Sequence, residues 1–225
     1  MLKRIFAGLG ALMIVAALTV PSIAVEVPSD RRARLKLEAQ KLPSLGDEAL
    51  SKKEYDRAIQ LYTKGIDSGT FADDPQAMGR MHFGRGSAYH AKDDCATAVV
   101  DYTKATEYVK KGDYFFMLAA CHIKLQQLDL ALTDLDNAVK VDPDAVGYRS
   151  ARCKLLFNKK DFAGAIPDCE KALAAATTDK DLMVATAQAA EQTGNKQRAA
   201  EVYKQLLATD PGNAIATEGL KRVGG

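Results

Sequence analysis

Residues 112–145 read GDYFFMLAACHIKLQQLDLALTDLDNAVKVDPDA, and residues 180–213 read KDLMVATAQAAEQTGNKQRAAEVYKQLLATDPGN. Laid over one another, the two stretches put Ala119 on Ala187, Ala131 on Ala199, Leu135 on Tyr203, Ala138 on Leu206 and Asp142-Pro143 on Asp210-Pro211. The register extends outward from this pair. A recurring alanine falls at Ala58, Ala98, Ala131, Ala165 and Ala199, at intervals of 40, 33, 34 and 34 residues. Four residues after each stands Tyr62, Tyr102, Leu135, Cys169 or Tyr203, and seven after stands Gly65, Ala105, Ala138, Ala172 or Leu206. Positions four and seven apart share one face of a helix, so each alanine opens an apolar stripe. Upstream, a second small residue recurs at Gly46, Gly86, Ala119, Cys153 and Ala187. Small residues let two helices approach closely, a bulky residue one turn later fills the space beside them, and a proline past the end stops the helix.

A period near 34 residues in a helix-turn-helix pattern resembles the tetratricopeptide repeat. The resemblance covers residues 39–213 in five units, at 39–72, 79–111, 112–145, 146–179 and 180–213. It implies an all-α fold, an α-solenoid of about five repeats whose concave wall comes mainly from the first helix of each unit. The first unit matches least, because Pro43 is expected to interrupt its first helix and its link to the second unit is longer by about two turns. After the last Asp-Pro, Ala216, Leu220 and Val223 recur at helical spacing beside Ile215, which predicts a capping helix within 214–225. Composition agrees: 225 residues, 47% hydrophobic and without tryptophan, suffice for a long, thin helix-on-helix core. Val25-Glu26-Val27 alternates like a strand but stands alone, and an unpaired strand does not hold.

The first 24 residues follow other rules. Lys3 and Arg4 precede sixteen uncharged residues, 5–20, and then Pro21, Ser22 and Ala24. A basic start, an apolar middle and small residues before a cut make a secretory signal, with cleavage expected after Ala24. Sixteen helical residues reach about 24 Å, short of a hydrocarbon core of roughly 30 Å, so no integral span is expected in the mature chain. The four asparagines, Asn137, Asn158, Asn195 and Asn213, head no Asn-x-Ser/Thr sequence, which favours a bacterial periplasm over a eukaryotic secretory route. Removal of Lys3 and Arg4 takes the net charge from +2 to 0, a balance that points away from nucleic acid. The one basic cluster, Arg31, Arg32, Arg34 and Lys36, falls in a lead-in segment, 25–38, that Ser29 or Asp30 would cap, and reads as a solvated helix face.

No constellation in the sequence carries catalysis, a cofactor or a metal motif. His82 and His122 occupy slots where helices pack, and Gly84-Arg85-Gly86 lacks the preceding strand of a phosphate loop. Asp73-Asp74 and Asp93-Asp94 stand at helix starts, where exposed N–H groups favour negative charge. The expected activity is therefore binding, not an enzymatic one.

The repeat register assigns the groove wall. Its expected residues are Arg80, Phe83, Gly84, Ser87 and His90 in the second unit, Phe116, Met117, Ala120, Ile123 and Lys124 in the third, and Ser150, Ala151, Lys154, Phe157 and Asn158 in the fourth. That wall is more apolar than a solvated surface requires, and suits a partner protein or peptide. Self-association through exposed edges of the array is the alternative. The second and fourth units also look like those of heat-shock co-chaperones that clamp a C-terminal carboxylate. Gly84 and Ala151 stand where the clamp asparagine belongs, so no clamp is expected, and Arg85 and Arg152 should lie along the inter-helix seam. Four cysteines in an oxidising compartment are expected to pair, and the register favours Cys95 with Cys121 and Cys153 with Cys169.

Overall fold

The computed structural model describes residues 28–175 and 178–224. The expected signal and the Val25-Glu26-Val27 segment lie outside the described residues. Among those residues all regular structure is helical, in eleven helices: α1 Pro28–Ser51, α2 Tyr55–Asp67, α3 Pro75–Ala91, α4 Cys95–Tyr108, α5 Gly112–Lys124, α6 Leu128–Val141, α7 Val146–Asn158, α8 Phe162–Ala174, α9 Lys180–Gln192, α10 Lys196–Thr209 and α11 Ala214–Val223. Each helix packs chiefly on the next, with further contacts two helices on, such as α1 with α3 and α7 with α9. Neighbour-only packing of antiparallel pairs is what makes an α-solenoid.

The register residues are the core of every pair. Ala58, Ala98, Ala131, Ala165 and Ala199 are all fully buried, as are Tyr62, Tyr102, Cys169 and Tyr203. Tyr62 shows why the partner must be small. A Cβ on Gly46 would come within 2.6 Å of its ring, and one on Gly84 within 2.4 Å, so the ring is gripped between two helices that only glycine allows this close.

The turn inside each unit is equally regular. The residue five before each register alanine, Lys53, Asp93, Gln126, Lys160 or Gly194, has positive φ, between 61° and 85°. Only the fifth is a glycine, so tertiary packing imposes the left-handed turn on four ordinary side chains. Asp74 and Asp94 cap α3 and α4 by accepting hydrogen bonds from Ala77 N and Thr97 N, both at 3.0 Å. Asp142 and Asp210 end α6 and α10, with Pro143 and Pro211 just beyond.

Two expectations at the N-terminus need correction. Pro43 does not interrupt a helix, since α1 runs through it for 24 residues and merges the lead-in segment with the first unit. Proline removes one backbone hydrogen bond and crowds the preceding turn, but Pro43 is itself a fully buried side chain, and that burial offsets the loss. Ser29 and Asp30 lie inside the first turn of α1 and are not caps ahead of it. At the other end, Ala216, Gly219 and Leu220 of α11 cover Val202 and Tyr203. Among the described residues no helix is long and apolar enough to cross a membrane.

Candidate functional site

The third and fourth units form an open groove of about 660 Å³ between α5 and α7. Phe116 and Ile123 come from α5, Leu128 from the start of α6, Ser150, Ala151, Lys154, Leu155 and Asn158 from α7, and Asp179 from the N-cap of α9. Residues three, four and seven apart on α5 and α7 share a face, which is why one wall can be read from each helix. Ile123 remains 37% exposed. Phe116 is half-buried, its ring tilted against Tyr148 at 5.3 Å, so one face of the ring is held and the other lines the groove.

Asp179 adds a polar edge. One of its oxygens accepts from Leu182 N at 3.0 Å and caps α9, while the other accepts from Lys154 Nζ at 2.6 Å. Burial alone would raise its carboxyl, but the Lys154 and Leu182 bonds outweigh it and hold the group below the usual carboxylate value. Repeat register alone does not place Asp179 in the groove, because it is the last residue of the fourth unit and caps the first helix of the fifth.

The remaining expected groove residues are placed differently. Phe83 stacks on Tyr114 at 4.5 Å and leans on Tyr102, and Met117 packs on the same cluster, so both turn largely into the helix contact. Phe157 tilts against Phe162 at 5.5 Å and borders a separate, smaller cavity with Gln188 and Arg222. Ser87 donates to Phe83 O at 2.8 Å, Arg80 is exposed near Asp47, and Lys124 pairs with Asp93. The structure thus brings Phe116, Ile123 and Lys154 together and leaves Arg80, Phe83, Ser87, His90, Met117, Lys124 and Phe157 outside that cavity. A larger cavity, about 1100 Å³, lies between α1 and the end of α2, bordered by Arg31, Arg32, Lys36 and Lys64.

On the other side of the array three acids are buried in one register, three residues after the alanine: Asp101, Asp134 and Asp168. Arg85 grips Asp101 with two bonds of 2.8 Å, and His82 Nδ1 joins at 2.8 Å. In the fourth unit the matching positions carry Arg149 and Arg152, both bonded to Asp168. The third unit has Phe115 and Leu118 there, and Asp134 is met by His122 Nδ1 at 2.6 Å instead. Burial pushes Asp101 up, yet its His82 and Arg85 bonds win and leave it below the ordinary value. For Asp134 burial wins over the single His122 bond, and its carboxyl is raised. Arg85 and Arg152 are therefore bound into the helix seam and are not presented to a ligand. The recurrence of aspartate at one register position in three successive units was the signal for this ladder.

The cysteines divide into two pairs. Cys153 and Cys169 face each other across α7 and α8 with sulfurs 2.08 Å apart and Cα atoms 5.1 Å apart, which is disulfide geometry. Cys95 and Cys121 are buried free thiols, so the bond expected between them is absent. Their sulfurs and a ring nitrogen of His90 all lie within 4.8 Å of one another. Burial, then Cys95, pushes the Cys121 thiol up, and burial, then the charge of Lys124, holds the His90 imidazole below its usual value.

Two sequence models of the tetratricopeptide repeat match this chain, one over residues 116–181 and one over residues 156–221. The chain is 22% identical to YrrB, a crystal structure described as a tetratricopeptide-repeat protein with an unusual peptide-binding site. Their TM-score is 0.70, with 87% of this chain and 98% of that one covered. It is similar also to the crystal structure of MamA, at 17% identity and TM-score 0.63 over 74% of this chain and 94% of that one. A tetratricopeptide-repeat protein from Parabacteroides merdae aligns at 16% identity and TM-score 0.64, over 82% and 72% of the two chains. Sperm-associated antigen 1 of Rattus norvegicus is 23% identical over 164 residues, 73% of this chain, and the match spans 17% of that much longer protein. At these identities the solved structures establish the fold. The two repeat models, which between them cover residues 116–221, agree with that fold and support the tetratricopeptide-repeat family for that stretch.

Proposed function

We propose that this chain is an extracytoplasmic scaffold that holds an extended segment of a partner protein in the groove between α5 and α7. The observation that carries the reading is the make-up of that groove. Phe116, Ile123, Leu128 and Leu155 offer apolar contact, while Ser150, Asn158 and the Lys154–Asp179 pair offer polar contacts along one edge. An extended peptide needs both kinds of contact, side-chain pockets for specificity and polar groups for its backbone. YrrB, of the same fold, is described as having a peptide-binding site, which adds to the case. The extracytoplasmic part rests on residues 3–24 and on the facing Cys153 and Cys169, and it extends to cell-envelope assembly, secretion or quality control.

The test selects peptides from a display library on the immobilised protein and measures their affinity for variants. Ile123→Asp, at an exposed position, should weaken binding by about tenfold or more while the melt stays within a degree. Lys154→Glu should alter which peptides are selected. Peptides that bind wild type and Ile123→Asp equally would overturn the groove assignment. Size-exclusion chromatography across a concentration range decides the alternative of self-association. N-terminal sequencing of the exported chain should start at or near Val25, and a product retaining Met1 in the cytoplasm would remove the extracytoplasmic reading.

A further inference from the structure

We infer that His90, Cys95 and Cys121 form a binding site for one thiophilic d10 metal ion, Zn(II) or Cu(I). The three ligand atoms lie within 4.8 Å of one another. Atoms bound about 2.0–2.3 Å from a common ion are themselves roughly 3.5–4 Å apart, so a small closure of side-chain torsions seats it. All three stand on helices. His90 stands in the last turn of α3, Cys95 is the first residue of α4, and the left-handed turn at Asp93 joins the two helices. Cys121 reaches the same point from α5.

Two further observations separate these residues from ordinary core fillers. His82 and His122 each place Nδ1 on a buried carboxylate, whereas the His90 imidazole makes no hydrogen bond to any described residue. It stands edge-on to the Tyr102 ring, centroids 6.4 Å apart, with a ring nitrogen within 4.8 Å of both sulfurs. Cys95 and Cys121 are 2% and 0% exposed, yet they form no disulfide even though they are adjacent, while the other two cysteines do face each other in bonding geometry. Two sulfurs and one imidazole are a soft donor set that selects Zn(II) or Cu(I) over magnesium or calcium. On binding, each thiol transfers its proton to solvent and coordinates as thiolate, with no change of oxidation state. Cu(I) is satisfied by the three ligands. Zn(II) takes water as a fourth, through the half-exposed His90 side. Either ion would tie α3, α4 and α5 together at the end of the helix carrying Ile123 and Lys124.

The sequence spacing conceals this site. His90 and Cys95 are five residues apart and Cys121 is a further 26 on, which matches no short metal motif.

The experiment takes the full exported chain, purified under argon without reductant, and adds Zn(II) in one arm and Cu(I), delivered from a competing chelator, in the other. After desalting, one arm should retain one ion per chain, with a raised melting temperature. X-ray absorption of that complex should show two sulfurs at about 2.3 Å and one nitrogen near 2.0 Å. Cys95→Ser, Cys121→Ser and His90→Ala should each lower the affinity at least about 100-fold. His90 lies half-exposed at a helix end, so its variant tests the site even where a buried-cysteine variant fails to fold. Cys153→Ser/Cys169→Ser should retain the ion. Failure to retain either ion, unchanged affinity in folded His90→Ala, an oxygen-only shell, or a Cys95–Cys121 disulfide in the purified chain would each overturn the site.

Discussion

Asp101 is the point at which one atom change reads out the buried acid ladder. It is 3% exposed, and its carboxylate accepts two bonds from Arg85 and one from His82. Asp101→Asn keeps the shape, removes the charge and puts an amide donor against a guanidinium. Breaking a buried ion pair costs about 3–5 kcal/mol. The lower end applies here, because Arg85 keeps its Thr63 bond at 3.0 Å and its side chain is 19% exposed, so its charge is not stranded in the core. A loss near 3 kcal/mol lowers the melting temperature of a chain this size by roughly 6–12 °C. Asp136→Asn is the control. Asp136 is 58% exposed and bonds Arg152, which also holds Asp168, so its loss is within about 1 kcal/mol.

The pH dependence has a definite sign. Asp101 is held below its ordinary value in the folded state, so its contribution is full above the unfolded value near 4, by roughly the model-peptide figure, and is lost as pH falls through the folded one. The gap in melting temperature between wild type and Asp101→Asn, followed by circular dichroism, should shrink as pH falls below about 4. Equal melts for the Asp101 and Asp136 variants at pH 7 would refute the reasoning. So would a gap that persists unchanged into acid.

Other outcomes follow from the packing. Gly84→Ala would place a Cβ 2.4 Å from Tyr62 Cζ, with Gly46 blocking the ring's retreat, and should destabilise by about 1–3 kcal/mol in urea unfolding. Gly147→Ala in α7 meets nothing within 4 Å and should be neutral or stabilising by up to about 1 kcal/mol, so equal losses at the two glycines would contradict the close-contact account. Deleting 214–225 uncovers Val202 and Tyr203 and should cost at least about 2 kcal/mol, whereas an unchanged melt would make α11 a loose tail. Cys153 and Cys169 are 16 residues apart, so a bond between them should add about 3 kcal/mol by chain entropy, lost on reduction. Non-reducing peptide mapping of the exported chain that finds both as thiols would remove that contribution.

What the sequence disclosed and what it hid follow from how far each feature reaches along the chain. The register alanines and their bulky partners act within one helix pair, over four to about twenty residues, and their chemistry is strict because a larger side chain at Ala58 or Ala131 would push two helices apart. That strictness leaves a periodic trace, and the all-α solenoid could be read from it. The helix through Pro43 was not legible, since the rule that proline breaks a helix omits what the buried ring contributes. The groove was half legible. Ile123 and Lys154 could be placed from the repeat register of α5 and α7, but the direction of an aromatic ring depends on which neighbouring ring meets it. Tyr114 draws Phe83 inward, Phe162 draws Phe157 aside, and Tyr148 leaves one face of Phe116 open. Cys95 and Cys121 meet only because α5 packs on α4, and the choice between bonding to each other and turning to His90 is made within a few ångströms, a scale at which repeat spacing carries no information.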